Sequence, residues 1–301
     1  MARRQLRLKL RRARREANLT QNEVANALDW SASKLLRIEN GTSTIAVSDL
    51  IALLTQYSGL APERESLLEL ARESKSPLLV SRYADVLTPQ FSTWLDHEAY
   101  ADNIRQFEPL IIPGVLQTDE YAAAVVAGLI DRESDDRDPV RIVAARRARI
   151  ESLIRPSSPK LEFIIDDAAV HRAVGNEDGA RGFTLMIDQL RHLKKLNTVG
   201  RQASGETIEP DLNPHISVQI VPFLAGAYRA MRGPFEIIEL EASGEEDQFM
   251  MYHENPEGDV VIREDYGPIE KHIQVFENLK KILPAPTDTN DHIDRVIQRF
   301  Q

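Results

Sequence analysis

An all-α N-terminal domain of five helices followed by a larger α+β domain is the fold this sequence predicts, on three observations. Through residue 73, apolar residues recur every three or four positions between residues suited to capping helices. Beyond residue 160 the pattern changes to short runs rich in β-branched and aromatic residues, bounded by Gly, Pro and acidic turns. Charge also divides along the chain. Residues 1–60 hold ten Lys or Arg against five acids, a net of +5, which leaves −15 for the remainder of a 301-residue chain whose total is −10. The expected layout is residues 1–73, a linker at 74–80 containing SKSPLL, and residues 81–301.

The first helix is LRLKLRRARREANL (6–19), with Leu6, Leu10, Ala13 and Ala17 as an apolar stripe and basic residues nearly everywhere else. The second starts at Gln21, because Thr20 and Glu23 have the spacing of a capping box, and Val24, Ala25 and Leu28 share one face. Asn18 and Asp29 stand at the turns, and both residue types tolerate the positive φ that glycine would otherwise supply. Ser31 opens the third helix, with Leu35 and Ile38 inward and Ala32, Ser33, Lys34 and Arg37 outward, and Asn40-Gly41 closes it. AVSDLIALLTQYSGL (46–60) and PERESLLELARES (62–74) supply the fourth and fifth.

In the second domain, periodicity predicts helices over 91–106, 118–130 and 139–154, with the acidic DRESDDRDP (131–139) between the last two. LEFIID (161–166) reads as a buried strand, and a helix over 180–196 and a polar loop over 197–214 follow. ISVQIVPF, PFEIIEL, QFMMYHE and DVVIRE read as further strands before helices over 266–283 and 288–300.

Two short helices separated by a tight turn, the second opening on small polar side chains, have the shape that enters a major groove. A basic head on an acidic body fits that use, since phosphate attraction is local. There is no cysteine, no apolar run of bilayer-spanning length and no apolar signal core at the N-terminus, so a cytosolic, nucleoid-associated protein without disulfides is expected. P-loop, nucleophile-elbow, dinucleotide and zinc-protease motifs are all missing, which leaves no catalytic set, metal or cofactor to propose and argues against an enzyme. His171 lies near Asp166 and Asp167, where a helix cap competes with a metal or acid-base pair. His215, His253, His272 and His292 lack ligand spacing. PLIIPGVLQT (109–118) reads as core, pocket floor or dimer face. Tyr228, Arg229 and Arg232, in GAYRAMRGPF (226–235), are candidates for gripping an acidic partner or ligand, unless that stretch is a plain hairpin.

Residues 10–41 resemble the XRE (phage-repressor-like) helix-turn-helix family, whose members carry LRxxRxxxGLTQxxLA followed by SxSxxSxIExG. The resemblance implies that Gln21 and Ser31 hold the DNA backbone, that Ala32, Ser33 and Arg37 face bases, and that Lys34 meets a phosphate. It also implies a structural ion pair between Arg14 and Glu39. Asn40 joins the DNA-facing candidates, as do Arg3 and Arg4 in an N-terminal arm, because no Lys or Arg lies between Asn40 and Leu50. IRQFEPLIIPGVLQTDEYAAAVV, LEFIIDDAAVHRAVG and ISVQIVPFLAGAYRAMRGPFEIIEL resemble the C-terminal domain of the actinobacterial WhiJ-like, antitoxin-like regulators, described as acting in development with a small partner protein encoded nearby. Together these resemblances imply a transcription regulator that responds through its C-terminal domain to a partner or ligand, and a homodimer on palindromic double-stranded DNA is expected because one such head contacts only a few base pairs. The competing expectation is an antitoxin-like protein that mainly sequesters a small partner and binds DNA for autoregulation.

Overall fold

A computed structural model describes residues 2–39, 45–57, 63–73, 79–99, 101–129, 136–154, 159–175, 180–199, 215–240, 248–255, 258–263 and 265–301. The chain forms two compact units, Met1–Leu78 with Asp96–Ala101 and Leu240–Gln248, and Leu79–Leu95 with Asp102–Glu239 and Phe249–Gln301.

The first unit carries five helices, α1 (Ala2–Glu16), α2 (Gln21–Ala27), α3 (Ala32–Glu39), α4 (Val47–Gln56) and α5 (Arg64–Glu73). Its core draws on every helix, with Leu10, Val24, Leu35, Leu50, Leu53 and Leu67 among the buried side chains. The capping box is formed: Thr20 Oγ1 accepts from the Glu23 amide at 3.2 Å, and the Thr20 amide donates to Glu23 Oε2 at 2.7 Å. Asn18 and Asp29 adopt φ of 54° and 52°, the left-handed conformation that lets the chain reverse between helices without glycine. Two expectations change. Helix α1 begins at Ala2, so Arg3 and Arg4 lie on a helix and not in an extended arm, and their side chains fall outside the described residues. Arg7, Arg11 and Arg14 are buried, so the basic face of α1 is narrower than composition implies. Asn40-Gly41, Pro62 and most of the 74–80 stretch also lie outside the described residues; positions 79 and 80 already belong to a helix.

Arg14 ties α1 to α3. Its Nε donates to Glu39 Oε1 at 2.7 Å and its Nη2 to Glu39 Oε2 at 3.0 Å, while Nη1 donates to the Leu19 carbonyl at 2.9 Å. Gln21 Nε2 adds a third donor to the same carboxylate at 2.7 Å.

Beyond that unit, α6 (Leu79–Tyr83) and α7 (Pro89–Glu98) precede strand β1 (Asn103–Glu108). Helices α8 (Asp119–Leu129) and α9 (Pro139–Leu153) lead to β2 (Lys160–Asp166), and α10 (Asp167–His171) and α11 (Ala180–Val199) lead to β3 (Ile216–Val221). Strands β4 (Phe235–Leu240), β5 (Gln248–His253) and β6 (Val260–Ile262) precede α12 (Tyr266–Ile282) and α13 (Pro286–Phe300). The strands form one mixed sheet in the order β3-β2-β1-β4-β5-β6. The first three are parallel, as helical crossovers require, whereas β4 runs antiparallel to β1 and β6 antiparallel to β5. On one face Phe107, Ile164 and Ile237 pack with Ile269, Phe276 and Leu279 of α12. Gln106 pairs across from Glu236, so these two side chains share the opposite face with Glu108.

The helix expected over 91–106 ends at Glu98, and its last part is the central strand β1. Five of the six β1 residues are buried, among them Asn103, Gln106 and Glu108, so polar residues inside the sheet hide the alternation that marks a strand. Residues 197–199 of the loop expected over 197–214 belong to α11, and 200–214 lie outside the described residues, as do 131–135 of the acidic loop. The segment between β3 and β4 is not a hairpin, because β2 and β1 stand between those strands.

Glu39→Ala should lower the stability of the first unit by about 3 kcal/mol, because it leaves a buried guanidinium without its carboxylate. Urea unfolding of the full chain followed by circular dichroism measures this; a loss under roughly 1 kcal/mol would place the pair with surface salt bridges.

Candidate nucleic-acid interface

Helix α3 has two faces. Leu35, Ile38 and Glu39 are buried, whereas Ala32, Ser33, Leu36 and Arg37 are exposed. Positions 32, 33, 36 and 37 are one turn apart on a helix, so their side chains form a single outward strip. Ser31 caps the helix, its Oγ accepting from the Lys34 amide at 3.2 Å and lying 3.1 Å from Ser33 Oγ. The strip opens on alanine and serine, which allow close approach to base edges, and ends on a guanidinium suited to guanine. Leu36, 39% exposed, was not among the expected DNA-facing residues. Its spacing from Ala32 and Ser33 was the available signal, and an apolar side chain there can meet a thymine methyl.

Two of the expected backbone contacts have other occupations. The Lys34 ammonium lies 3.0 Å from Asp49 Oδ2 and 3.9 Å from the centre of the Trp30 ring, which braces α3 against α4 and the preceding turn. Gln21 commits an amide hydrogen to Glu39, leaving its second hydrogen for a phosphate. Among other basic residues, Lys9 pairs with Glu63 and Arg12 with Glu16 at 2.7 Å.

In the larger unit, the cap reading of the paired aspartates holds: Asp166 Oδ1 accepts from the Ala168 amide at 2.8 Å at the start of α10. Asp167 meets His292 at 2.7 Å and His171 at 3.1 Å, a convergence from distant segments that spacing did not reveal. Burial opposes its ionisation, but the His292 hydrogen bond and the two imidazoles outweigh burial and hold its pKa below the usual value. Among the described residues no cluster of three or more His, Cys, Asp or Glu could hold a metal ion. Tyr228 is not an open grip. Its hydroxyl donates to Asp166 Oδ2 and its ring stands edge-on to Phe107, with centroids 5.9 Å apart. Arg229 and Arg232 are exposed, beside a connection in which Leu224 is 98% exposed.

A cavity of about 270 Å³ lies between the Gln106/Glu108 face of the sheet and α9. The PLIIPGVLQT segment contributes both to core, through Ile112 and Leu116, and to the cavity wall, through Ile111 and Gln117. On the wall, Arg149 Nη2 donates to Glu236 Oε2 at 2.8 Å, with both side chains buried. Arg146 Nη1 donates to the Gln117 amide oxygen at 3.2 Å, and burial lowers its pKa. Burial, with the nearby Glu236 and Glu254, pushes the Glu108 carboxyl up to about 8. Sequence reading found no polar pocket with convergent titratable groups; these residues are spread over two strands and a helix, and one strand was read as helix.

Residues 91–203 and 208–295 match the family model described as Domain of unknown function (DUF5753). The chain belongs to the DUF5753 family. Residues 5–67 match the model of a helix-turn-helix domain, which takes in α1 from residue 5 and all of α2, α3 and α4, and supports a DNA-binding regulator. Neither a curated protein nor a solved structure matches the chain. Among the described residues no helix is long and apolar enough to cross a membrane. Most of the polar cavity wall, including Gln106, Glu108, Arg146, Arg149 and Glu236, falls within the DUF5753 match.

Glu108→Gln tests the electrostatics of this wall. Unfolded, the carboxyl titrates near 4.5; folded, it holds its proton to about 8. As pH rises between those values only the unfolded chain ionises, so the stability this group allows falls across that window and levels off above it. The substitution should therefore raise the melting temperature at pH 8 and change it little at pH 4.5, read by differential scanning calorimetry. An equal effect at both pH values would contradict the raised pKa.

Proposed function

We propose that this protein is a sequence-specific transcription regulator of the XRE type that reads palindromic double-stranded DNA as a homodimer. Its DUF5753 domain carries dimerisation and the response to a partner protein or ligand. The observation that supports this most is the outward strip Ala32, Ser33, Leu36 and Arg37 on a capped helix whose other face is locked in the core. Two heads are required because one short helix contacts only a few base pairs, while paired heads one helical turn apart, about 34 Å, gain useful affinity. The resemblance to WhiJ-like regulators supports a role in actinobacterial development at the nucleoid. A second reading, an antitoxin-like protein that sequesters a small acidic partner, is favoured by the exposed Phe223, Leu224 and Met231 beside Arg229 and Arg232.

Fluorescence anisotropy with the protein's own promoter fragment and a scrambled duplex tests the assignment. Arg37→Ala should weaken the promoter complex by about 1–3 kcal/mol and the scrambled complex far less, because a base contact carries discrimination. Equal losses would make Arg37 a phosphate contact. Lys34→Ala should weaken both complexes while leaving the salt dependence unchanged, since its ammonium is held by Asp49 and Trp30. A salt slope flatter by about one unit would return Lys34 to the phosphate role its family position implies.

A further inference from the structure

We propose that the cavity of the DUF5753 domain binds a small organic acid, with Arg146 and Glu108 holding its carboxylate. The inference rests on the proposed regulator reading for its consequence, since a ligand-responsive domain needs a site, but the site itself stands on the cavity's own geometry.

Three features of the wall point to that chemistry. Arg146 borders the cavity with one hydrogen bond at 3.2 Å, to an amide oxygen, although a guanidinium offers five donors in a fork that matches a carboxylate. The neighbouring Arg149 is hydrogen-bonded directly to Glu236 within the wall, whereas Glu254 and Glu108 act on Arg146 only as nearby charges. Gln106 is buried, its Nε2 donates to Glu108 Oε1 at 3.1 Å, and its Oε1 has no hydrogen-bond partner. The Gln106 hydrogen bond fixes Glu108 on the wall beside Arg146. Apolar surface completes the cavity: Phe91, Leu95, Val126 and Ile142 line it, as does the ring of Tyr252. The volume of about 270 Å³ is at the small end for ligand pockets and suits a compact molecule with one ring or a short chain.

Glu108 sets the sign of the charge. The groups around it are Glu236 on β4, Glu254 just after β5, Arg146 on α9 and Tyr121 on α8, and the carboxyl keeps its proton to about 8. Protonated, it donates to a carboxylate beside Arg146; ionised, it repels one. Anion affinity should therefore fall as pH rises through that value, whereas a cationic ligand would gain affinity over the same range.

The test uses the full-length protein without DNA and, as probes, mandelate, 4-hydroxybenzoate and 3-hydroxyhexanoate against their neutral amides. Binding is read by calorimetry and by the fluorescence of Trp94, whose ring lies 5.6 Å from that of Tyr252. At least one acid should bind at neutral pH about ten-fold or more tighter than its amide, equivalent to about 1.4 kcal/mol. Arg146→Gln should erase the preference for the acid, while Arg147→Gln, at the exposed neighbouring position on α9, should leave it intact. If Arg146→Gln does not fold, Glu108→Gln decides: it should bind the acid with a flat pH profile where the parent loses affinity above pH 8. No binding of any acid, equal binding of acid and amide, or a pH profile untouched by Glu108→Gln would overturn the assignment. Promoter binding is measured separately, so a head that fails to bind DNA refutes the regulator reading without bearing on the cavity, and an empty cavity leaves the head's function standing.

Discussion

The carboxylate of Glu39 is the point on which the DNA-binding unit depends. It accepts two hydrogen bonds from Arg14 and one from Gln21, so a single buried anion joins α1, α2 and α3. Helix α3 has only eight residues, far too few to persist alone in water, and its existence and its angle both come from what it packs against. Leu35 and Ile38 supply the apolar attachment, and the Glu39 clamp fixes rotation about the helix axis. Rotation matters because a helix turned by one residue, about 100°, would bring Leu35 and Glu39 outward in place of Ser33 and Arg37, or Lys34 and Ile38 outward in place of Ala32 and Leu36. Burial of both charges is costly, and the bidentate geometry with added donors is what offsets it. The same commitment removes Arg14 from the surface.

The DUF5753 domain uses buried charge differently. Arg149 and Glu236 neutralise each other across the gap between α9 and the sheet, but Arg146 and Glu108, with Gln106, do not complete such a set. On the cavity face the central strand carries Gln106 and Glu108, while on the α12 face Phe107 packs with Ile164 and Phe276. Both faces mix apolar and polar residues: Asn103, Arg105 and Glu162 lie beside Phe107 on the α12 face, whereas Gln106, Glu108 and Glu236 lie beside Ile104 and Ile238 on the cavity face.

Most of the first unit was legible because its signals are local. Thr20 with Glu23, Asn18 and Asp29 at the turns, and the spacing of Leu35 and Ile38 each depend on neighbours within four residues. Strands β2 to β6 were also found, from runs of Ile, Val, Phe and Met. What escaped notice depends on residues far apart in sequence. NIRQFE became a strand because β2 and β4 lie on either side of it, and its polar residues look solvent-facing until that pairing is known. The Lys34 ion pair went unseen because Asp49 comes from the next helix, the Tyr228 hydrogen bond because Asp166 lies sixty-two residues earlier, and the cavity because Glu108, Arg146 and Glu236 meet only in three dimensions.

The measurement that bears most directly on the central claim is selection of duplexes from a random library by the full-length protein at physiological salt. An inverted repeat whose half-sites are centred about 10 base pairs apart should be enriched, with strong preference at the positions facing α3 and weaker preference elsewhere. Recovery of sequences with no shared motif would contradict that claim, and would mean that the outward strip of α3 does not read DNA.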